Sequence, residues 1–271
     1  MKMQKTILIT GSTDGIGFET AKILLSQGHK VLVHGRNPAK LEKVVNELSS
    51  IADSSLIESY VADLSIMAEV DKLASEVAAK HNSLDVLINN AGVFRVSTTS
   101  TPDNLDLRFA VNTIAPYLLT KKLLPLLGNS GRVVNLSSAA QAPLNPQDLK
   151  GVSGQSDGMA YAQSKLALTM WTAAMAESLG YEGPMVVAVN PASMLGSKMV
   201  KEAYGVDGAD LRIGADILCR AALSEEFADA SGKYFDNDSG RFSSPHPNAM
   251  NAQKCAEVVS VIESVLDRFS N

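Results

Sequence analysis

An open, doubly wound α/β fold with a parallel sheet is what this sequence predicts, and three observations predict it. Short runs rich in Val and Ile recur along the chain, several of them apolar at every position, as strands covered on both faces are. Amphipathic segments of helix length separate the runs. The first run ends in a glycine-rich turn that leads straight into a helical pattern. Alternation with crossovers of that length means parallel strands with helices on both faces of the sheet.

The elements follow in order. Runs at 6–10 (TILIT), 30–34 (KVLVH), 56–62 (LIESYVA), 84–89 (LDVLIN), 132–137 (RVVNLS), 185–190 (MVVAVN) and 233–236 (KYFD) read as strands, so the sheet is expected to have about seven, mostly or fully parallel. Helical patterns occupy 17–28, 38–50, 65–81, 105–127, 159–180 and 214–224. Pro38 suits a first helical turn, and Gly28 and Gly180 suit helix ends. No linker, repeat or low-complexity tract divides the chain, so residues 1–271 are expected to form a single domain. Two irregular stretches, 142–158 and 192–208, each follow a strand. They should lie at the carboxyl edge of the sheet, where ligands bind, and are expected to be substrate loops.

Composition narrows the function. Of 271 residues, 45% are hydrophobic and 20% charged, as in a soluble globular protein. A net charge of −5 without a basic run argues against nucleic acid as partner. Cys219 and Cys255 stand far apart and read as idle thiols of a reducing compartment, and four scattered histidines show no metal-ligand spacing. The apolar run near the N-terminus is too short for a signal-peptide core. No stretch of roughly 18 apolar residues predicts a membrane span. A cytoplasmic location is expected.

The turn after the first strand is Thr10-Gly11-Ser12-Thr13-Asp14-Gly15-Ile16-Gly17. Glycines there let the backbone approach a pyrophosphate, which the following helix N-terminus favours. A tight turn with no ligand is the alternative. The second strand ends in His34-Gly35-Arg36-Asn37, without the carboxylate that binds the ribose hydroxyl of NAD. Arg36 offers a planar cation suited to the 2′-phosphate of NADP, so NADP(H) is favoured over NAD(H).

At this point the chain resembles the short-chain dehydrogenase/reductase family, over nearly its whole length. Thr10 through Gly17 match the family's cofactor motif. Asp63-Leu64 resemble its adenine-contacting pair, and Asn89-Asn90-Ala91-Gly92 its turn after the fourth strand. Asn112, Ser138, Tyr161 and Lys165 match its catalytic tetrad. The resemblance implies a Rossmann fold and hydride transfer between nicotinamide and a carbonyl or alcohol. It also implies that Tyr161 is the general acid/base and that Lys165 holds the nicotinamide ribose. Asn112 would hold a water that links Lys165 to solvent.

Elementary chemistry agrees. Tyr161 and Lys165 are four apart, so on a helix they share a face, and a nearby cation should lower the phenol's pKa. Ser138 can donate to the substrate oxygen. Ser137 is its rival, and only the family alignment favours Ser138. Hydrolase and P-loop motifs are missing from the sequence. A non-catalytic NADP(H)-binding regulator of the same fold is the alternative function.

Two departures from the family's common pattern stand out. The stretch between Ser138 and Tyr161 is long, as in the branch that contains retinol dehydrogenases. After the sixth strand Pro191-Ala192 replaces Pro-Gly, and Ser193 or Ser197 must stand in for the threonine that meets the carboxamide. Met194, Leu195, Met199, Val200 and Tyr204 suit an adaptable apolar pocket, and a lid helix packed on its own domain is the other reading. A bulky apolar carbonyl or alcohol is the expected substrate. The resemblance also implies a homo-oligomer built through the two long helices that carry Asn112 and Tyr161.

Overall fold

Residues 3–269 are described by a computed structural model, and all seven runs read as strands lie in one sheet. The strands are β1 (Thr6–Ile9), β2 (Lys30–Gly35), β3 (Ile57–Val61), β4 (Val86–Asn89), β5 (Arg132–Leu136), β6 (Met185–Asn190), β7 (Tyr234–Asp236) and β8 (Arg241–Ser243), in the order β3-β2-β1-β4-β5-β6-β7-β8. The first seven pair in parallel. β8 adds an eighth, antiparallel edge strand that sequence reading did not anticipate. It has three residues and one apolar side chain, Phe242, opposite Phe235, which is too little to show a period.

Register explains why the strand runs are continuously apolar. Leu8 is level with Leu32 and Leu87, and these point into one core with Val133 and Val186. Their neighbours Ile7, Ile9, Val31, Val33 and Ile88 point into a second core on the opposite face. Strands buried on both sides have no polar face to show.

The second core is closed by α1 (Gly15–Ser26), α2 (Pro38–Leu48) and α8 (Leu211–Leu223). The first is closed by α3 (Met67–Lys80), α4 (Leu107–Phe109), α5 (Ala115–Leu127), α6 (Asp157–Leu179) and α9 (Ala252–Leu266). α7 (Lys198–Tyr204) lies within the second irregular loop. The stretch expected as one helix over 105–127 is broken, since Ala110–Ile114 forms a π-helical turn between α4 and α5 that carries Asn112. α9 was also unanticipated, although its buried residues 255, 258, 261, 262, 265 and 266 have helical spacing. It lies against both long helices: Tyr117 and Lys121 on α5 donate to Glu263 at 2.6 and 2.7 Å, and its apolar face joins that of α6. Among the described residues no helix is long and apolar enough to cross a membrane.

Loop 142–158 is tied down along its length. Leu149 is buried, and the Gly151 carbonyl accepts from Asp106 N at 3.0 Å. Ser153 Oγ donates to Asp106 Oδ2 at 2.9 Å, and Arg268 donates to the Lys150 carbonyl at 3.1 Å. Arg108, 1% exposed, pairs with Asp106 (Nη2–Oδ2 2.7 Å) and with Asp157 at the start of α6.

Candidate active site

A cavity of about 580 Å³ runs along the carboxyl edge of the sheet, where strand order reverses between β1 and β4. That is where open parallel sheets bind ligands. At one end lie Gly11, Thr13, Asp14, Gly15 and Ile16, with the start of α1 behind them.

The turn is shaped by packing. Gly11 has φ +64°, and a Cβ there would sit 2.8 Å from Ala91 Cα. A Cβ on Gly17 would sit 2.4 Å from Asn90 Nδ2. Asn90 holds the turn by donating to the Thr10 and Gly11 carbonyls, both at 2.9 Å. Thr10 Oγ1 in return accepts from Asn90 N and Ala91 N at 3.1 Å. Ser12 Oγ donates to the Ile9 carbonyl at 3.0 Å. Thr10, Ser12 and Gly17 therefore shape the cradle from behind and do not line it, whereas Asn90, Ala91 and Gly92 also reach the cavity.

His34 braces the same turn, a role that sequence reading missed. Its Nδ1 accepts from Gly11 N at 3.1 Å, and its Nε2 meets the Ala62 carbonyl at 3.1 Å. Burial pulls its pKa down to about 4, so the ring is neutral with its proton on Nε2, as both contacts require.

Arg36, Asp63 and Leu64 line the far wall, and Arg36 makes no ion pair among the described residues. Asn37 caps α2 by accepting from Lys40 N at 2.9 Å and stays off the wall. Lys40 does line it, and its Nζ is 2.7 Å from Asp14 Oδ2. Its position one turn into α2 was the available signal.

The other end holds Ser138, Tyr161 and Lys165. Ser137 is spent internally, with its hydroxyl 2.7 Å from Thr169 Oγ1, whereas Ser138 hydrogen-bonds the Tyr161 phenol. Asn112 is buried below them. Its amide donates to the Val93 carbonyl and Ser164 Oγ at 2.9 Å and accepts from Val93 N at 2.8 Å. Lys165 is also buried, with Nζ donating to the Leu136 carbonyl at 2.7 Å and lying 5.8 Å from the Tyr161 ring centre.

One expectation is corrected. Lysine proximity does not lower the phenol's pKa in this structure. Burial raises it, the Ser138 hydrogen bond pulls the other way, and the Tyr204 phenol adds to the rise. Burial likewise brings Lys165 down to about 8. A low-dielectric site disfavours both charged forms, and the ammonium is aimed at a carbonyl and not at the phenol oxygen.

The roof of this end comes from α7 and the segment after β4. Phe94 sits 4.8 Å from the Tyr161 ring and 6.0 Å from the Tyr204 ring, centre to centre. Arg95 donates to the Glu202 carbonyl at 3.3 Å. Sequence reading missed Phe94 and Arg95. Pro191, Ser193, Ser197, Met194, Met199 and Val200 also face the cavity, whereas no residue of 142–158 lines it. Ser193 is held by Asp238 through its N–H (2.7 Å) and hydroxyl (2.6 Å). Ser197 caps α7 and stands across from Gly15.

A dinucleotide cleft that ends on a phenol, a hydroxyl and an ammonium is the outline of a nicotinamide-dependent oxidoreductase. The family model described as short chain dehydrogenase matches residues 5–205, and the chain belongs to that family, whose members act on CH–OH groups with NAD(P). Its relatives include a polyprenol dehydrogenase of Homo sapiens, 38% identical over 192 residues, which are 68% of this chain and 58% of that one. Retinol dehydrogenase 12 of Mus musculus is 32% identical over 246 residues, 86% of this chain and 78% of the relative. The solved structure of an uncharacterized protein from Mycobacterium paratuberculosis superposes with a TM-score of 0.80 at 26% identity, covering 97% of this chain and 93% of the other.

Proposed function

We propose that this protein is an NADP(H)-dependent oxidoreductase that moves a hydride between the nicotinamide and a carbonyl or alcohol carbon of a fairly apolar substrate. The observation that carries the reading is a single cavity lined at one end by a glycine cradle and Arg36 and at the other by Ser138, Tyr161 and Lys165.

The cradle residues fit a dinucleotide. The turn from Gly11 to Ile16 would take the pyrophosphate at the start of α1, and Asp63 and Leu64 the adenine. Arg36 would take the 2′-phosphate, with Lys40 beside it. Asn90, Ala91 and Gly92 would border the ribose that Lys165 holds, and Pro191 with Ser197 would border the carboxamide, Ser193 being occupied by Asp238. The nicotinamide, when bound, supplies or takes the hydride.

The chain's own residues then handle the proton. Ser138 donates its O–H to the substrate oxygen and steadies the charge that develops there. Tyr161, kept neutral by burial, gives that oxygen its proton in reduction and takes it back in oxidation. Lys165, which carries its charge below pH about 8 and is anchored on the Leu136 carbonyl, holds the ribose, and the Ser138 hydroxyl stabilises the phenolate left behind. A Cβ on Gly92 would lie 3.4 Å from Asn112 Oδ1 and 3.5 Å from Lys165 Nζ, so Asn112 and Lys165 flank the same residue, as a relay between them requires. Phe94, Met199, Val200 and Tyr204 supply the apolar wall. The names of the polyprenol and retinol relatives agree with an apolar substrate.

The test is a panel of aliphatic, aromatic and sugar carbonyls and alcohols, followed at the nicotinamide absorbance band with both cofactors. Turnover of apolar members with NADPH is expected, and turnover of polar sugars alone would refute the substrate class. Tyr161→Phe should lower kcat by about 10²- to 10⁴-fold with NADPH binding retained. Arg36→Asp should weaken NADPH far more than NADH, and equal loss of both would remove Arg36 from phosphate recognition.

A further inference from the structure

Ser138 lies just past the end of its strand. The last ladder bond is Ser137 N to the Val189 carbonyl at 2.8 Å, and beyond it the backbone depends on side chains to hold it. Two do so. Tyr234 OH on β7, 96 residues further along the chain, donates to the Ser138 carbonyl at 3.1 Å. Gln141 Nε2 donates to the same oxygen at 3.0 Å. Gln141 is itself fixed, because its Oε1 accepts from His246 N at 3.2 Å, and its side chain also meets the Tyr234 phenol.

We propose that Tyr234, together with Gln141, is a positioning residue for Ser138, clamping its carbonyl so that its hydroxyl stays aimed at Tyr161 and the substrate oxygen. This inference rests on the role proposed above for Ser138. The Tyr234 ring is buried, so a phenylalanine would fill the same space, and the hydroxyl is what the site adds. Ser138 Oγ itself accepts from Ala140 N at 3.1 Å, which leaves its hydrogen free to donate. A group that must meet a developing charge has to be held to within about 0.5 Å, and a single-strand turn does not supply that alone.

The consequence reaches the proton-transfer group. Tyr161 is faced by Ser138 from the β5 turn, Lys165 from its own helix, Tyr204 from α7 and the Phe94 ring. Of these, the Ser138 hydrogen bond pulls the phenol's pKa down against burial. Loosening Ser138 therefore moves the pH at which Tyr161 becomes a base upward.

The experiment compares Tyr234→Phe, Gln141→Leu, Ser138→Ala and the double variant Ser138→Ala/Tyr234→Phe in the alcohol-oxidation direction, with NADPH affinity read by fluorescence. Tyr234→Phe and Gln141→Leu should each lower kcat about tenfold and shift the rising limb of the pH–rate profile to higher pH, with NADPH affinity unchanged. In the Ser138→Ala background, Tyr234→Phe should cost less than about twofold more, because the group it positions is gone. If Ser138→Ala is slow while Tyr234→Phe matches the wild type, or the two losses simply multiply, the positioning role is wrong and the role of Ser138 stands. If Ser138→Ala costs no rate, the proposed role of Ser138 fails and this inference fails with it.

Discussion

Loops 142–158 and 192–208 leave the same edge of the sheet, and the chain holds them by opposite means. The first is nailed down by buried charge. Asp106 is fully buried and Arg108 nearly so, and together with Ser153 and Asp157 they join the loop, α4 and the start of α6. The second has no buried ion pair among the described residues and closes on itself by backbone, with exposed side-chain ties from Ser193 to Asp238 and from Arg95 to the Glu202 carbonyl. Ala192 (φ 114°) and Met194 (φ 56°) are two of the three non-glycine residues with positive φ among the described residues, and Ala209 N and Gly196 N close the loop on the Met194 and Ala209 carbonyls at 2.8 and 2.7 Å. The first loop spends its polar groups on the frame and contributes nothing to the cavity wall. The second presents Met194, Met199, Val200 and Tyr204 to it. A site needs both a frame that does not move and a wall that can adapt, and here they are separate segments.

The largest effect should come from breaking the frame. Arg108→Met leaves Asp106 buried without its partner and should cost about 3–5 kcal/mol, lowering Tm by roughly 10 °C. An unchanged Tm would show that the buried charges do not hold the loop. Next comes the wall. Tyr204→Ala should lower kcat/KM for apolar substrates about tenfold, with NADPH affinity and Tm little changed. A fall in Tm instead would make α7 part of the frame.

Ala192→Gly tests the strain and has the opposite sign. Glycine adopts φ near 114° without the penalty a Cβ brings, so stability should rise by about 1 kcal/mol in denaturant unfolding. The smallest effect is in acid. Burial pushes the Asp106 carboxyl up, but hydrogen bonds from Arg108 and Ser153 outweigh it and the net shift is downward from 3.8. Its stabilising contribution is therefore present above the unfolded value and is lost as pH falls through the folded one. Asp106→Asn, which cannot titrate, should lose stability less steeply below pH about 4.

Legibility followed the range over which each feature is decided. The strands could be read because burial on both faces makes Leu8, Leu32 and Val133 and their neighbours uniformly apolar. Gly11 and Gly17 could be read because only a residue without Cβ fits where a second backbone or amide approaches. Tyr161 and Lys165 could be read because helical spacing is local. The brace by His34, the π-helical turn at Asn112 and the short strand β8 carried no local signal. The length of loop 142–158 and its place after a strand point to a substrate loop, and neither property tells how far the segment is pinned to the frame.

The sequence by itself determined the parallel sheet, the glycine cradle and the pairing of a phenol with an ammonium on one helix, because apolar periodicity, backbone freedom and residue spacing are properties of neighbouring residues. Only the tertiary structure decided which loop forms the cavity wall, which serine is free, and that the phenol's pKa rises. Those outcomes depend on burial and on hydrogen bonds between groups far apart in the chain, such as Ser153 with Asp106 and Tyr234 with Ser138, and a neutral or buried partner leaves no mark on the residues beside it.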